Sequence, residues 1–390
     1  MIIKRFPEDF KVEEVTKVKE DSNGNYSVYL LTKNGIDTLG AVNIIKKKFR
    51  LNDKQIGVAG LKDKHAFTTQ YISIEGRQGN KFDFQERSLS LKFVHYTKEP
   101  ILVGLLSGNK FEITVRQIRD SYVQKLQERS KLIGYGVPNY YGEQRFGSYS
   151  GKKGFIGKYL IMGDNEKALR IYFTHYIKSE NQRIKDMKRF IDENWGEWKK
   201  CIEYILSKKI KSSVKIRILR QLAKTKDFNE SVLLIPNKET RLYVEAYQSY
   251  IWNEITRRVI EFYGNKTFTL SYNAGIYSFY DRIKDSSVDL LYETKFNLKD
   301  IEAPEQVYEI INRLKKDILK KEGISENLIN KKISSSGSLK LRNIIIFPKR
   351  FSLSNITKDE AYNGYLKVKL RFELPPGCYA TMVTRVLFKQ

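Results

Sequence analysis

A chain of 390 residues is long enough for two or three domains, and its 41% hydrophobic and 13% aromatic content excludes disorder as a global state. Lysine and arginine number 71 against 45 acids, so the net charge of +26 favours a nucleic-acid partner. A charge-rich thermophile surface would explain the number of charges but not their imbalance. Two distant cysteines, three scattered histidines and no long apolar stretch lead us to expect a metal-free, cytoplasmic protein.

The N-terminal part of the chain predicts a mixture of strands and helices. Residues 26–32 and 68–74 are rich in β-branched and aromatic types, which predicts strands. Apolar residues at helical spacing over 39–49 predict a helix. Residues 110–116 alternate apolar and charged types, which predicts a strand with one face in solvent. Residues 121–136 predict a helix that ends at glycine.

The middle of the chain is predicted to be mainly helical, and the C-terminus returns to strands. The strongest helical periodicity lies at 241–262, and a second amphipathic helix is predicted at 305–323. Residues 334–342 are rich in serine and glycine, which predicts a flexible connector. Residues 342–348 and 365–377 predict strands.

Strands at both ends of the chain predict one sheet that joins them, with the helical middle inserted as a second domain. The fold class is therefore α/β in the broad sense that includes α+β. We expect residues 1–150 and 342–390 to form the first domain and residues 151–341 the inserted one, with an uncertain start. Whether the helix at 241–262 packs with the first domain is left open.

The segment AGLKDKHAFTTQYISIEG, residues 59–76, places an acid between two lysines at the edge of an apolar strand. A surface turn can carry Lys62, Asp63 and Lys64 for no functional reason, whereas a protein that handles a polyanion can use one carboxylate for chemistry. The chain has no GxSxG elbow, HExxH pair, phosphate loop or GxGxxG fingerprint. Enzyme chemistry, if present, therefore rests on a carboxylate, a lysine or a tyrosine.

A second segment, VPNYYGEQRFGS at 137–148, mixes aromatic rings with amides and an arginine. A stacked, unpaired base needs a π face and donors to its edge, and the residues that could supply them are Asn139, Tyr140, Tyr141, Gln144, Arg145 and Phe146. A buried aromatic turn explains the segment equally well. The next loop, GSYSGKKGFIGK at 147–158, lacks phosphate-loop spacing, so we expect Lys152 and Lys153 to contact phosphates as a basic loop.

The C-terminal segment LPPGCYATMVTRVLF, at 374–388, predicts a strand, a tight turn and then a helix or a strand. Its one charge before Lys389 is Arg385. Core packing explains the apolar residues, but a buried arginine would need an acidic partner.

Together, GLKDKHAFTTQ, NYYGEQRFG, AYQSYIWN and LPPGCYATMVTRVL resemble the TruD family of tRNA pseudouridine synthases. RFPEDFKVEE and GLLSGNKFEI resemble two further signatures of that family, and the motifs run from residue 5 to residue 387 in the family's order. The lysine- and isoleucine-rich, cysteine-poor composition favours an archaeal or thermophilic member.

The resemblance implies a catalytic domain with a mixed, mainly antiparallel sheet flanked by helices, plus an inserted α/β domain specific to the family. It implies isomerisation of uridine to pseudouridine in tRNA, usually at position 13, and in some members also at position 35 of pre-tRNA(Tyr). No cofactor or metal is implied. Asp63 corresponds to the family's catalytic aspartate, which acts as nucleophile or as base toward the ribose.

The other site residues follow from the resemblance and from charge. A cation should hold the Asp63 carboxylate ionised; we expect Arg385 first, and Lys11, Lys62 or Lys64 otherwise. The residues expected to touch substrate by stacking or orientation are Tyr141, Asn139 and Arg145. The residues expected to contact RNA are Lys62, Lys64, His65, Gln144, Arg145, Lys152 and Lys153. The family commonly has phenylalanine where Tyr141 stands, and often Arg-Glu-Leu where this chain has Arg385-Val386-Leu387.

Two other function classes stay open at this point. A non-catalytic RNA-binding protein or RNA chaperone would explain the charge, but it has no need of an acid in a basic groove. An RNA methyltransferase would need a glycine-rich cofactor loop, which the sequence does not contain. For Gln248, Ser249 and Asn253, in the helix at 241–262, packing and capping is favoured over a direct role.

Overall fold

The computed structural model describes residues 1–177, 179–336 and 339–389. The chain forms two compact units: Met1–Val137 with Ile346–Gln390, and Pro138–Ile345. Sequence analysis placed the changes of domain at about 150 and 342, whereas the chain changes unit after Val137 and after Ile345. The NYYG segment therefore belongs to the second unit.

The described strands range from two residues to the 13 residues of β8. In the described residues they are β1 (Ile2–Ile3), β2 (Phe10–Thr16), β3 (Tyr26–Asn34), β4 (Ile56–Val58), β5 (Phe67–Glu75), β6 (Phe84–Gln85), β7 (Leu89–Thr97), β8 (Leu106–Ile118), β9 (Val137–Pro138), β10 (Gly264–Tyr272), β11 (Gly275–Ile283), β12 (Lys295–Phe296), β13 (Ile301–Glu302), β14 (Arg342–Asn343), β15 (Ile345–Ile346), β16 (Lys349–Leu353), β17 (Thr357–Lys358) and β18 (Leu366–Leu374).

Most helices belong to the second unit. In the described residues they are α1 (Thr38–Phe49), α2 (Val123–Ser130), α3 (Ile156–Met162), α4 (Asn165–Thr174), α5 (Gln182–Glu193), α6 (Trp198–Ser207), α7 (Ser213–Thr225), α8 (Phe228–Val232), α9 (Asn237–Tyr263), α10 (Asp285–Glu293), α11 (Glu305–Glu322), α12 (Glu326–Ser336) and α13 (Ala380–Phe388). None of the described helices is long and apolar enough to cross a membrane.

The first unit is built on one sheet of eleven described strands in the order β16-β18-β8-β2-β5-β3-β7-β6, with β1 on β8, β17 on β18 and β4 on β5. The β2–β5 pair is parallel, and the other described pairs of this sheet are antiparallel. This confirms the predicted mixed, mainly antiparallel sheet. It also confirms that strands from both ends of the chain share one sheet.

Alternating apolar residues of the central strands form a core under α1. Tyr29 and Leu31 on β3 share this core with Ile72 and Ile74 on β5, and all four are fully buried. Helix α1 begins where the Asp37 carboxylate accepts the Gly40 N–H at 2.8 Å, as an N-cap does. The cap fixes the start of the helix next to the turn that follows β4.

A buried ion cluster around Arg116, on β8, links the two ends of the chain within the first unit. The Arg116 guanidinium donates to both oxygens of Asp9 at 2.9 Å and to Asp359 at 2.8 Å. The side chains of Arg116, Asp9 and Asp359 are at most 8% exposed. The predicted solvent-exposed face of the strand at 110–116 is therefore wrong at Arg116, because this side chain points into the protein and neutralises two buried acids.

The second unit is organised by the 27-residue helix α9, which packs against α3, α11 and the β10–β11 hairpin. Gln248, Ser249 and Asn253 are buried on this helix. The long helix predicted at 241–262 is confirmed, and it lies within the second unit.

Three predicted elements differ from the structure. The helix expected at 121–136 is α only as far as Ser130 and continues as a 3-10 helix to Tyr135, before Gly136 at φ 83°. The strand expected at 342–348 is broken into β14 and β15, which pair with different partners. The connector expected at 334–342 starts inside α12, and residues 337–338 lie outside the described residues.

We expect Arg116→Met to lower the free energy of unfolding by about 3–5 kcal/mol, because it leaves Asp9 and Asp359 buried without their cation. Urea unfolding followed by circular dichroism measures the change. Arg350→Met is the matched control, since Arg350 is 79% exposed in its ion pair with Glu373. The control should cost less than about 1 kcal/mol. Equal losses in the two variants would contradict the structural role of the cluster.

Candidate active site

The turn between β4 and β5 carries Asp63, and buried side chains fix its backbone. The Thr38 hydroxyl accepts the Lys62 N–H at 2.8 Å and donates to the Gln70 side chain at 2.8 Å. The Gln70 amide in turn donates to the Gly60 carbonyl at 3.1 Å. Thr38 and Gln70 are at most 1% exposed. Solvent therefore does not compete for these bonds.

A buried lysine binds the same turn from β3. The Lys33 ammonium donates to the carbonyls of Ile36 at 2.7 Å, Asp63 at 2.9 Å and Lys62 at 3.2 Å. Lys33 has no exposed surface. One side chain thus joins the turn that carries Asp63 to the loop that precedes α1.

The Asp63 carboxylate itself reaches solvent. Its Oδ2 accepts the Lys4 Nζ at 3.2 Å, and the two side chains are 40% and 24% exposed. Lys4 also lies over the Phe10 ring, 4.0 Å from its centroid. Sequence analysis missed Lys4, although it stands immediately before the RFPEDF motif, because 59 residues separate it from Asp63.

Lys62 has a different role from the one expected. Its ammonium pairs with Glu14 Oε2 at 2.6 Å, and the two side chains are 7% and 0% exposed. A cation held by a buried carboxylate is not available to an RNA phosphate or to Asp63. In the structure Lys62 anchors the turn to β2, and its predicted contact with RNA stays a prediction.

Lys11 lies on the opposite side of β2 from Phe10, since successive side chains of a strand alternate. Its ammonium pairs with Glu112 at 3.4 Å. Together they line a polar cavity of about 520 Å³ over the sheet, with Glu13, Thr69, Lys110 and Arg371. The ammonium seen beside the Asp63 carboxylate is that of Lys4, and the predicted role of Lys11 as partner cation stays a prediction.

The surroundings of Asp63 are open to a large substrate. Lys64 and His65 are exposed, and Leu61 is 65% exposed. Arg385 is half-buried on α13, a helix fixed to α2 by the Arg129 side chain, which donates to the Val386 carbonyl at 2.7 Å. The expected pairing of Arg385 with Asp63 stays a prediction.

The NYYG segment of the second unit is clamped by α9. The Asn253 side chain accepts the Tyr141 N–H at 2.9 Å and donates to the Tyr141 carbonyl at 3.0 Å. The Tyr277 hydroxyl donates to the same carbonyl at 2.9 Å. This arrangement agrees with the packing role favoured for Asn253.

The Tyr141 ring is 9% exposed. The Arg342 guanidinium lies over it at 4.3 Å, and the Trp252 ring meets it edge-on at 5.5 Å. Arg342 also donates to the Asn139 side chain at 2.7 Å, whose own amide donates to the Asn343 carbonyl at 3.0 Å. Asn139 therefore helps to hold the segment, and its expected substrate-orienting role stays a prediction.

The polar residues that follow in the sequence include residues in ion pairs and residues that are exposed. Arg145 pairs with Glu245 at 2.9 Å and donates to Ser249 at 3.1 Å, so it fixes the segment to α9. Lys153 pairs with Asp192. Gln144 and Lys152 are exposed. The Lys153 side chain is 39% exposed in its ion pair, so Gln144, Lys152 and Lys153 all present side chains to solvent.

The structure thus brings Asp63, Lys62, Lys64 and His65 together on one turn of the first unit. It places Asn139, Tyr141 and Arg145 on one clamped segment of the second. Among the described residues, no group of three His, Cys, Asp or Glu side chains is placed to hold a metal ion.

Comparisons with known proteins identify the family of the chain. The family model for tRNA pseudouridine synthase D (TruD) matches residues 1–269. "Probable tRNA pseudouridine synthase D 2" of Methanocaldococcus jannaschii is 37% identical, with 100% of this chain and 92% of that protein covered. The tRNA pseudouridine synthase D of Aquifex aeolicus is 31% identical over 99% of this chain and 97% of its own length.

A crystal structure of a protein assigned as TruD from Methanosarcina mazei matches with a TM-score of 0.70 and 27% identity. The match covers 100% of this chain and 93% of that one. Sequence and fold therefore agree along the whole chain. The chain belongs to the TruD family of tRNA pseudouridine synthases.

Proposed function

We propose that this chain isomerises uridine to pseudouridine in tRNA, with Asp63 as its catalytic carboxylate. The observation that carries this proposal is the geometry of the Asp63 turn. Its backbone is fixed by buried groups, while its carboxylate is 40% exposed and lies 3.2 Å from the Lys4 ammonium. The family supports tRNA as the substrate, and the net charge of +26 attracts a polyanion at long range.

The reaction breaks the C1′–N1 bond of the uridine, turns the uracil and joins C1′ to C5. The proton on C5 is lost and N1 gains one, so the product is an isomer and no oxidant is consumed. Asp63 acts on the ribose, either as a nucleophile at C1′ or as a base. Both roles require a carboxylate held beside the sugar, which a rigid turn supplies.

Lys4 orients the carboxylate through a charge-assisted hydrogen bond. The target uridine has to leave its stack before it reaches Asp63, at a cost of a few kcal/mol. We propose that Tyr141 offsets part of this cost by stacking on the uracil. Tyr141 is 9% exposed and lies under Arg342, so stacking requires a group that covers the ring to move aside for the base.

The family resemblance favours uridine 13 as the main target and position 35 of pre-tRNA(Tyr) as a second one. A tRNA substrate places the reaction in the cytoplasm. The alternative, an RNA chaperone without catalysis, predicts binding without product and gives Asp63 no chemical role.

We expect Asp63→Asn and Asp63→Ala to bind tRNA and to form no pseudouridine, since both remove the carboxylate. Single-nucleotide mapping of pseudouridine on an unmodified transcript measures the product and names its position. Asp53→Asn is the matched control, because Asp53 is 88% exposed in its ion pair with Lys46. Product from Asp63→Asn at the wild-type rate would exclude the catalytic assignment, and binding without product in the wild type would favour the chaperone.

We expect Tyr141→Ala to lower turnover roughly 10- to 100-fold, since stacking of a base on an aromatic ring is worth about 1–3 kcal/mol. Affinity for tRNA should fall less than turnover. Single-turnover rates and filter binding on the same transcript separate the two quantities. Tyr141→Phe keeps the ring and should stay close to the wild type. Equal losses of turnover and affinity in Tyr141→Ala would contradict a stacking role.

A further inference from the structure

We propose that Lys33 is a positioning residue, whose buried ammonium fixes the backbone of the catalytic turn and so places the Asp63 carboxylate. The inference rests on the proposed function, because it assigns a task within the same reaction. Its observation is independent of the substrate: the ammonium donates to three carbonyls, at Ile36, Lys62 and Asp63.

The number of bonds matches the chemistry of the group. An ammonium has three N–H donors and no acceptor, and all three donors are used here. No carboxylate oxygen is among these three acceptors, so the interaction holds the backbone. Carbonyl partners let one cation bind two consecutive residues of the turn at the same time.

Burial changes the protonation of Lys33. Lys33 has no exposed surface, and burial lowers its pKa from 10.5 to about 8, although Asp37 and Asp63 oppose this effect. Lys62, in the same turn, lowers it further. Above about pH 8 the group becomes an amine with two N–H donors, so one of the three carbonyls loses its hydrogen bond.

When Lys33 loses its proton, the turn loses a hydrogen bond, but the stability of the fold does not fall. Between about pH 8 and 10.5 the unfolded chain binds this proton more tightly than the folded chain does. Linkage then makes the fold more stable as the pH rises through that window. A loss of rate in this window is therefore not caused by unfolding through Lys33.

We expect Lys33→Met to lower the single-turnover rate roughly 100-fold, which is the effect of displacing a catalytic group by about 1 Å. Affinity for tRNA should stay within about twofold, because no phosphate contact is removed. The wild-type rate should also fall above about pH 8, and Lys33→Met should lack this limb. A fall in rate that is caused by titration of the uracil itself would appear in both proteins.

Lys215→Met is the matched control, because Lys215 also donates to a carbonyl, that of Tyr172 at 2.8 Å. Thr38→Val is a second variant for the case in which Lys33→Met does not fold. It removes the acceptor of the Lys62 N–H and should lower the rate with tRNA affinity unchanged. If Lys33→Met keeps the wild-type rate and pH profile while Asp63→Asn is inactive, the positioning role of Lys33 is overturned. The catalytic role proposed for Asp63 then stands.

A second, independent observation concerns α7 in the second unit, where we infer a docking surface for the tRNA backbone. Arg217, Arg220 and Lys224 are exposed at positions i, i+3 and i+7, so they lie on one face of the helix. With Gln221 they line a groove of about 680 Å³. This inference rests on the proposed tRNA substrate.

The charges of this groove are not neutralised by the fold. In the described part of the chain, Arg217, Arg220 and Lys224 form no ion pair; Arg217 donates to the Leu234 carbonyl at 3.0 Å, and Glu230 accepts from Gln221 at 2.9 Å. Some exposed cations of the same unit are paired instead, as Lys167 is with Asp164. Unpaired cations along a groove are complementary to a phosphate backbone.

We expect Arg217, Arg220 and Lys224, changed together to Gln, to raise the tRNA Kd at least tenfold and to leave the single-turnover rate at saturating enzyme unchanged. The slope of log K against log salt should fall by about 2–3, as for three lost phosphate contacts. The control changes Lys167, Arg170 and Arg241 to Gln, which removes the same charge from paired cations.

If the groove variant and the control weaken tRNA binding equally, the effect is one of net charge. The inference of a docking surface is then overturned. An unchanged Kd in the groove variant would overturn it as well. If the wild type binds tRNA through this groove and forms no product, the surface stands and the proposed reaction fails.

Discussion

The buried cation of Arg116 is the constraint on which the first unit depends. It holds Asp9 from the N-terminal segment and Asp359 from the C-terminal one, and so joins the two ends of a chain that the second unit interrupts for 208 residues (138–345). The N-terminal segment that Asp9 fixes also carries Lys4. The position of the Lys4 ammonium beside Asp63 therefore depends on an ion cluster made of other residues.

The cations behind the net charge of +26 fall into two groups, buried and exposed. Buried cations satisfy internal acceptors: Lys33 binds carbonyls, Lys62 binds Glu14, and Arg342 binds Asn139. Such groups give the fold its geometry and add nothing to phosphate binding. Exposed cations without a carboxylate, such as Lys64 and Lys152, remain for RNA. The partner therefore meets only part of the positive charge.

This division explains what the sequence could predict. Periodicity identified β3, β5, α1 and α9, because a buried face repeats along one element. It could not identify Lys4, since an ion pair across 59 residues leaves no periodic signal. The motif around Asp63 marked the turn correctly, but Lys62 and Lys64 look alike in sequence although one is buried and one is exposed. The ion pair of Arg145 could not be predicted for the same reason, because its partner Glu245 lies on another element.

The turn separates two requirements of the catalytic carboxylate proposed at Asp63. Lys33, Thr38 and Gln70 bind its backbone, so they determine where Asp63 stands. Lys4 binds the carboxylate itself, so it affects charge and side-chain orientation. Because the two sets of contacts use different atoms, a substrate that displaces Lys4 leaves the backbone of the turn in place. A nucleophile or base can then exchange its ion partner for the ribose without a rearrangement of the loop, which keeps the cost of reorganisation low at the moment of reaction.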